Sequence, residues 1–212
     1  MTIYALSSGS GISGVAIIRI SGLEASNVIK SLTSREIPKP RMATLRKINN
    51  INTSELIDEG IIIWFPGPES YTGEDMAEIH IHGGKAGILA VQNEISKIKN
   101  CRLAEPGEFT KLAFQNGKIN LLKAESIGDL ISAETEIQRS QAIKIMKGKS
   151  SLKFNELREK LLKILSFIEA KIDFPEEDLP EDNLKKLKQD SKDVINEINK
   201  ILNDQKVGEI IR

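Results

Sequence analysis

Twelve of the 15 glycines and five of the seven prolines of this 212-residue chain lie at or before Lys118. Glycine and proline punctuate short elements and tight turns, whereas uninterrupted Leu, Ile, Lys and Glu at helical spacing build long helices. The asymmetry therefore divides the chain near Lys118 to Leu121 into residues 1–118, made of short elements, and residues 119–212, made of long ones.

In the first part, the β-branched runs Gly14 to Ile20, Gly60 to Phe65 and Met76 to His82 are bounded by turn residues and read as strands. Leu23 to Leu32 and Lys85 to Ile98 read as helices. A short helix, Glu108 to Gln115, opens after Pro106-Gly107 and closes at Asn116-Gly117. In the second part, Leu152, Leu157, Leu161, Leu165, Ile168 and Ile172 mark one amphipathic helix, and Leu184 through Leu202 mark another. A further helix starts at Leu121. The segment Asp173 to Pro180, with two prolines and several carboxylates, should stop the first long helix and turn the chain. The fold class is α+β: a mixed α/β domain followed by an all-α partial bundle.

Thirty basic and 30 acidic residues cancel, so any contact with nucleic acid must be local rather than driven by a global positive field. A single cysteine, Cys101, excludes an internal disulfide, and no Cys or His stands at zinc spacing around it. The first residues lack the features of a signal peptide, and no apolar run is long enough for a membrane span, so the expected location is the cytoplasm.

Several groups are candidates for chemistry, each beside a plainer alternative. Gly9-Ser10-Gly11-Ile12-Ser13-Gly14 spells GxGxxG but precedes a strand rather than a helix, so it has no helix N-terminus to hold a pyrophosphate and reads as a flexible loop. No GxxxxGK[ST] occurs, so nothing here wraps nucleotide phosphates in the P-loop manner. His80 and His82 share one face of a strand but lack a third ligand at sensible spacing, so no metal is assigned; histidines hydrogen-bonded at a strand end before Gly83-Gly84 are the plainer reading, and catalytic or ligand-orienting use of His82 is the alternative. Glu78 lies on that same face, while Glu74 and Asp75 stay in the loop before it. A carboxylate there suits a flat heterocycle bearing an N–H next to an amino group; a solvated acidic turn is the alternative. Arg19 interrupts an apolar strand and needs an anionic partner or a snorkelling path. Lys118 follows a helix end, whose dipole it could neutralise. Together Arg19, Glu78 and Lys118 offer two cations and a carboxylate to a ligand with an anionic tail and a donor-bearing ring.

Taken in order, these segments resemble the MnmE (TrmE) family of tRNA modification GTPases along nearly the whole chain. The resemblance rests on Gly14-Val15-Ala16-Ile17-Ile18-Arg19-Ile20-Ser21-Gly22, on Phe65-Pro66-Gly67-Pro68 through Tyr71-Thr72-Gly73-Glu74-Asp75 to Glu78, His82, Gly83 and Gly84, and on Pro106-Gly107-Glu108-Phe109. Asn116-Gly117-Lys118 and Ala124-Glu125-Ser126-Ile127 through Asp129-Leu130-Ile131 follow in family order. Asn120 stands where the family commonly has Asp.

The resemblance implies a first domain similar to the tetrahydrofolate-binding folds of aminomethyltransferases, which also forms a homodimer, and then a helical domain. It implies a one-carbon folate, 5-formyltetrahydrofolate or 5,10-methylenetetrahydrofolate, contacted at positions matching Arg19, Glu78 and Lys118. It further implies a part in adding an aminomethyl-type group at C5 of the wobble uridine of tRNA, with a flavin- and NADH-dependent partner protein of the MnmG type. GTP, potassium and magnesium belong to a GTPase domain that the family inserts into the helical domain. The present chain stops about where that insertion should begin, so it should not hydrolyse GTP by itself, and the apolar faces of its long helices should lack some partners. A competing reading is a scaffold that dimerises and docks the partner without binding folate.

Overall fold

A computed structural model of the chain describes residues 1–9, 11–173 and 181–203. It divides into two compact units, Met1–Asn120 and Leu121–Arg212.

The first unit is built on six strands: β1 (Thr2–Leu6), β2 (Ser13–Ser21), β3 (Thr44–Asn49), β4 (Leu56–Phe65), β5 (Met76–Gly83) and β6 (Cys101–Leu103). They form one mixed sheet in the order β3-β4-β5-β2-β1-β6, antiparallel except for the parallel pair β1 and β6. Three helices accompany the sheet: α1 (Ala25–Thr33), α2 (Lys85–Ser96) and α3 (Glu108–Gln115).

Strand side chains alternate between faces, and that alternation decides where the core lies. Ala16, Ile18 and Ile20 of β2, Ala77, Ile79 and Ile81 of β5, and Ile62 and Trp64 of β4 are buried together with Val28, Ile29 and Leu32 of α1 and Val91 and Ile95 of α2. The intervening positions form the other face, where Val15, Leu45 and Ile61 are exposed. Polar groups that share this second face with Ile17 are thus set on a partly apolar platform.

The strands read from β-branched runs are present, with β4 starting four residues before the expected Gly60. β1, β3 and β6 add to them, and β6 exists only through its pairing with β1. Helix α1 starts at Ala25 rather than Leu23, because Gly22 takes a φ of 129° and its carbonyl accepts the Ala25 N–H at 3.0 Å, so the chain is still turning there. Helix α2 ends at Ser96, two residues short of the expected Ile98, where a bond from the Lys97 N–H to the Glu94 carbonyl tightens the last turn. The glycines at 11 and 14 lead directly into β2, which excludes the dinucleotide reading of that motif; Ser10 within it lies outside the described residues.

The second unit contains α4 (Leu121–Ser132), α5 (Glu136–Met146), α6 (Lys149–Asp173) and α7 (Glu181–Leu202). α4 packs on α5, α5 on α6 and α6 on α7. Thr135 caps α5, accepting the Gln138 N–H, while the Gln138 side chain accepts from the Thr135 N–H. Its buried apolar side chains include Ala142, Leu157 and Val194, while Leu152, Phe154, Leu161, Leu165, Ile168 and Ile172 of α6 stay exposed. The expected turn at residues 173–180 begins where α6 ends, and its remainder lies outside the described residues. Among the described residues, no helix is long and apolar enough to cross a membrane.

Candidate functional site

Arg19 and Glu78 project from the second face of the sheet because both sit one step out of phase with the core positions on their strands. The antiparallel register of β2 and β5 puts them directly opposite each other. Nε and Nη2 of Arg19 donate to the same oxygen of Glu78, Oε1, at 3.0 and 2.8 Å. The pair is only 29% and 15% exposed, so it is partly withdrawn from water and less screened than a surface ion pair. Its second oxygen, Oε2, faces Nε2 of His80 at 3.4 Å.

Two rings wall the guanidinium. The Arg19 Cζ lies 5.5 Å from the centre of the Tyr71 ring and 5.7 Å from that of Phe109, inside the range of cation–π attraction. Tyr71 comes from the loop between β4 and β5, and Phe109 from α3. Oxygen atoms of the Tyr71 hydroxyl and the Thr110 hydroxyl are 3.0 Å apart, which ties that loop to the helix. Nδ2 of Asn116 donates to the Thr72 carbonyl at 2.7 Å, adding a second tie. Beneath the loop, Ser21 on β2 shares a buried 2.7 Å hydrogen bond with Thr72 and donates to Glu74 at 3.1 Å.

Lys118 arrives by a different route. Helix α3 ends with Gly117 at a φ of 69°, the Gly117 N–H bonded to the Phe114 carbonyl at 3.0 Å and the Lys118 N–H to the Ala113 carbonyl at 2.8 Å. This Schellman arrangement satisfies orphan carbonyls of the helix and turns the chain back. The Lys118 side chain then lies along Gly73: its Cε would be 3.2 Å from a Cβ at that position. The ion pair itself joins Arg19 and Glu78 without Lys118, which stands against the same loop that supplies Tyr71.

At the end of β5, Asp58 of β4 holds His82. The His82 ring is 79% exposed, while the Asp58 side chain is 13% exposed. Among the described residues there is no cluster of three or more His, Cys, Asp or Glu side chains that could hold a metal ion. Sequence reasoning placed Glu78, His80 and His82 on one face but did not single out Tyr71, Phe109 or Asp58 as neighbours. Both aromatics fall inside the motif segments quoted above, yet only the closing of a loop and a helix over β2 brings them to Arg19.

The site thus offers a carboxylate with one oxygen taken by a guanidinium and the other turned toward an imidazole, flanked by two aromatic walls. Such a set can accept hydrogen bonds from a planar ring and donate to a neighbouring acceptor.

Comparison with known proteins covers both units. The family described as "GTP-binding protein TrmE N-terminus" matches residues 2–118, and the family described as "MnmE helical domain" matches residues 121–212. A tRNA modification GTPase MnmE from Pelagibacter ubique (strain HTCC1062) is 76% identical over 212 residues, 100% of this chain and 48% of that protein. The proteins of the same name from Rickettsia bellii (strain OSU 85-389) and Parvibaculum lavamentivorans are 45% and 43% identical over 211 residues, covering 100% of this chain and 47% and 48% of theirs. The chain spans about half the length of these curated relatives.

Proposed function

Because this chain belongs to the MnmE family of tRNA modification GTPases, we propose that its first unit binds a one-carbon tetrahydrofolate on the face carrying Arg19 and Glu78. The ligand is 5-formyltetrahydrofolate or 5,10-methylenetetrahydrofolate. Glu78 accepts from the N–H groups of the pterin edge, Arg19 donates to an acceptor beside them, and Lys118 meets an anionic part of the ligand. The observation that supports this most is the Arg19 and Glu78 pair between the rings of Tyr71 and Phe109. A flat, donor-bearing heterocycle fits such walls, which add stacking area to the polar contacts.

In the whole protein the unit works within the cytoplasm as part of a homodimer, together with a flavin-dependent partner of the MnmG type. There it helps to add an aminomethyl-type group at C5 of the wobble uridine of tRNA. Hydrolysis of GTP, with potassium and magnesium, belongs to the part of the protein that this chain does not span.

Calorimetric titration with 5-formyltetrahydrofolate tests the reading. Saturable binding by the chain, weakened at least about tenfold in Glu78→Ala, in Arg19→Ala and to a smaller degree in Lys118→Ala, is the expected result. Equal affinity in all variants sinks it.

A second reading, an assembly scaffold that does not bind folate, draws on the exposed apolar side chains of α6 and of the second sheet face. It expects a dimer by light scattering and no heat on addition of the folate.

A further inference from the structure

Glu78 divides its two oxygens unequally, and that division gives His80 a task. Oε1 takes both donors of Arg19, at 3.0 and 2.8 Å, which leaves Oε2 as the acceptor open to a ligand. Nε2 of His80 stands 3.4 Å from that oxygen. His80 is held there by the sheet itself: Ile17 of β2 and Ile61 of β4 are its cross-strand neighbours, and its side chain is 24% exposed.

We propose that His80 is a positioning residue for the Glu78 carboxylate, holding Oε2 in place for the ligand when neutral and competing with the ligand for Oε2 when charged. The proposal rests on the folate reading above.

The physical argument turns on what each form of the ring can do. A neutral imidazole with its proton on Nε2 donates one ordinary hydrogen bond to Oε2, which fixes the carboxylate while leaving a lone pair for an N–H of the ligand. An imidazolium makes a charge-assisted bond, roughly twice as strong, to the same oxygen. Glu78 would then be neutralised by two cations, Arg19 on one oxygen and His80 on the other, and an uncharged ligand donor would have to displace one of them. Imidazole is the side chain that ordinarily changes charge between about pH 5 and 8.

Among the described residues, the following charged and titratable groups stand on the strands beside His80. On β5 they are Glu78 and, two residues further on, His82; on β2 the group is Arg19. β4 places Ile61 directly opposite, with Glu59 and the His82-bound Asp58 beyond it toward the start of the strand. Tyr71 covers Arg19. Of these, Glu78 is the one in contact with the His80 ring, so its charge dominates the exchange.

The test is calorimetric titration of the chain with 5-formyltetrahydrofolate at about pH 8, 7 and 6, using the natural sequence, His80→Gln and His80→Leu. Glutamine keeps a donor of similar reach and cannot charge; leucine removes the donor. The natural chain should lose roughly tenfold in affinity between the highest and lowest pH. His80→Gln should match it within about twofold at high pH and show no pH dependence, and His80→Leu should bind more weakly at every pH. The chain has two histidines, so ring resonances can be followed one by one. On saturation with folate the His80 signal should move more than that of His82.

A pH dependence that persists in His80→Gln overturns the proposal, as does a His80 signal that ignores the ligand. In either case the folate reading stands, because the natural chain still binds. Absence of binding by the natural chain removes both.

Discussion

Asp58 grips His82 twice: its Oδ2 accepts the backbone N–H of His82 at 2.9 Å, and its Oδ1 pairs with the ring Nδ1 at 2.7 Å. The same Oδ1 also accepts the Glu59 N–H at 2.7 Å. One carboxylate thereby locks the end of β5 to β4 and directs the remaining ring nitrogen of His82 outward.

Burial pushes the Asp58 carboxyl up, but the bonds from the His82 ring, the His82 N–H and the Glu59 N–H, with the attraction of the imidazole, outweigh it and leave the group below its ordinary value. A lowered folded-state value means that the ionised form stabilises the fold above the unfolded value, and that this stabilisation disappears as pH falls through the folded one. Asp58→Asn should therefore cost about 1 kcal/mol near neutral pH, the exposure of the His82 ring keeping the figure small. The gap between the two proteins should close below about pH 4, as read from melts at a series of pH values. A gap that widens in acid would contradict the assignment.

Glu94 is a buried carboxylate on α2 that serves another segment. It accepts from Asn50 Nδ2 at 2.9 Å, the Ile51 N–H at 3.1 Å and Lys97 Nζ at 2.6 Å. The Lys97 ammonium holds it below the usual carboxylate range, with the Ile51 N–H helping against burial. Glu94→Ala would strand the Asn50 amide and the Ile51 N–H, so it should cost about 3 kcal/mol in chemical denaturation. Lys97→Met, which removes only the half-exposed partner, should cost about 1 kcal/mol.

Gly60 lies where β4 and β5 approach so closely that a Cβ would overlap the carbonyl oxygen of His80. Since the obstacle is backbone, no side-chain rotation relieves it. Gly60→Ala should destabilise the first unit by about 3 kcal/mol or more and should also displace His80 from Glu78. Melting temperature measures the first effect and the His80 ring resonance the second.

In the second unit, Glu197 of α7 receives Lys160 at 2.8 Å and Lys153 at 2.9 Å, both from α6. These two ammonium groups hold Glu197 down to about 2. Its stabilising effect is thus complete above the ordinary Glu value and is lost as pH falls from about 4.3 to about 2. Contact between α6 and α7 should loosen over that window, seen as faster amide exchange in α7. Glu197→Gln, which cannot ionise, should already show that faster exchange at neutral pH and lose nothing further in acid, the effect being modest because the group is partly exposed and screened by salt.

How much of this the sequence disclosed depended on how local each cause is. β2, β5 and α3 were legible because alternation, turn residues and the Asn116-Gly117 stop are written within a few positions. Arg19 was legible as a charge in need of a partner, and the shared face of Glu78 and His80 followed from strand periodicity alone. By contrast, β3 carries charges among its apolar residues, as edge strands do, so its run Thr44–Asn49 looks like a loop. Three-residue β6 is defined only by β1, nearly 100 positions away. Glu94 gave no sign of burial because the turn that covers it comes 43 and 44 residues earlier. The cap of α5 is readable in the sequence, since Thr135 and Gln138 have capping-box spacing.

Trp64 is the chain's one tryptophan, and it is buried in the core of the sheet; both tyrosines, Tyr4 and Tyr71, lie in the first unit as well. The second unit has phenylalanine as its only aromatic residue. Intrinsic emission on heating consequently monitors the sheet and is blind to the long helices, whereas far-ultraviolet ellipticity is weighted toward those helices. A single heated sample watched by both optical signals would reveal whether the halves melt together or in succession, without any label or any cut in the chain.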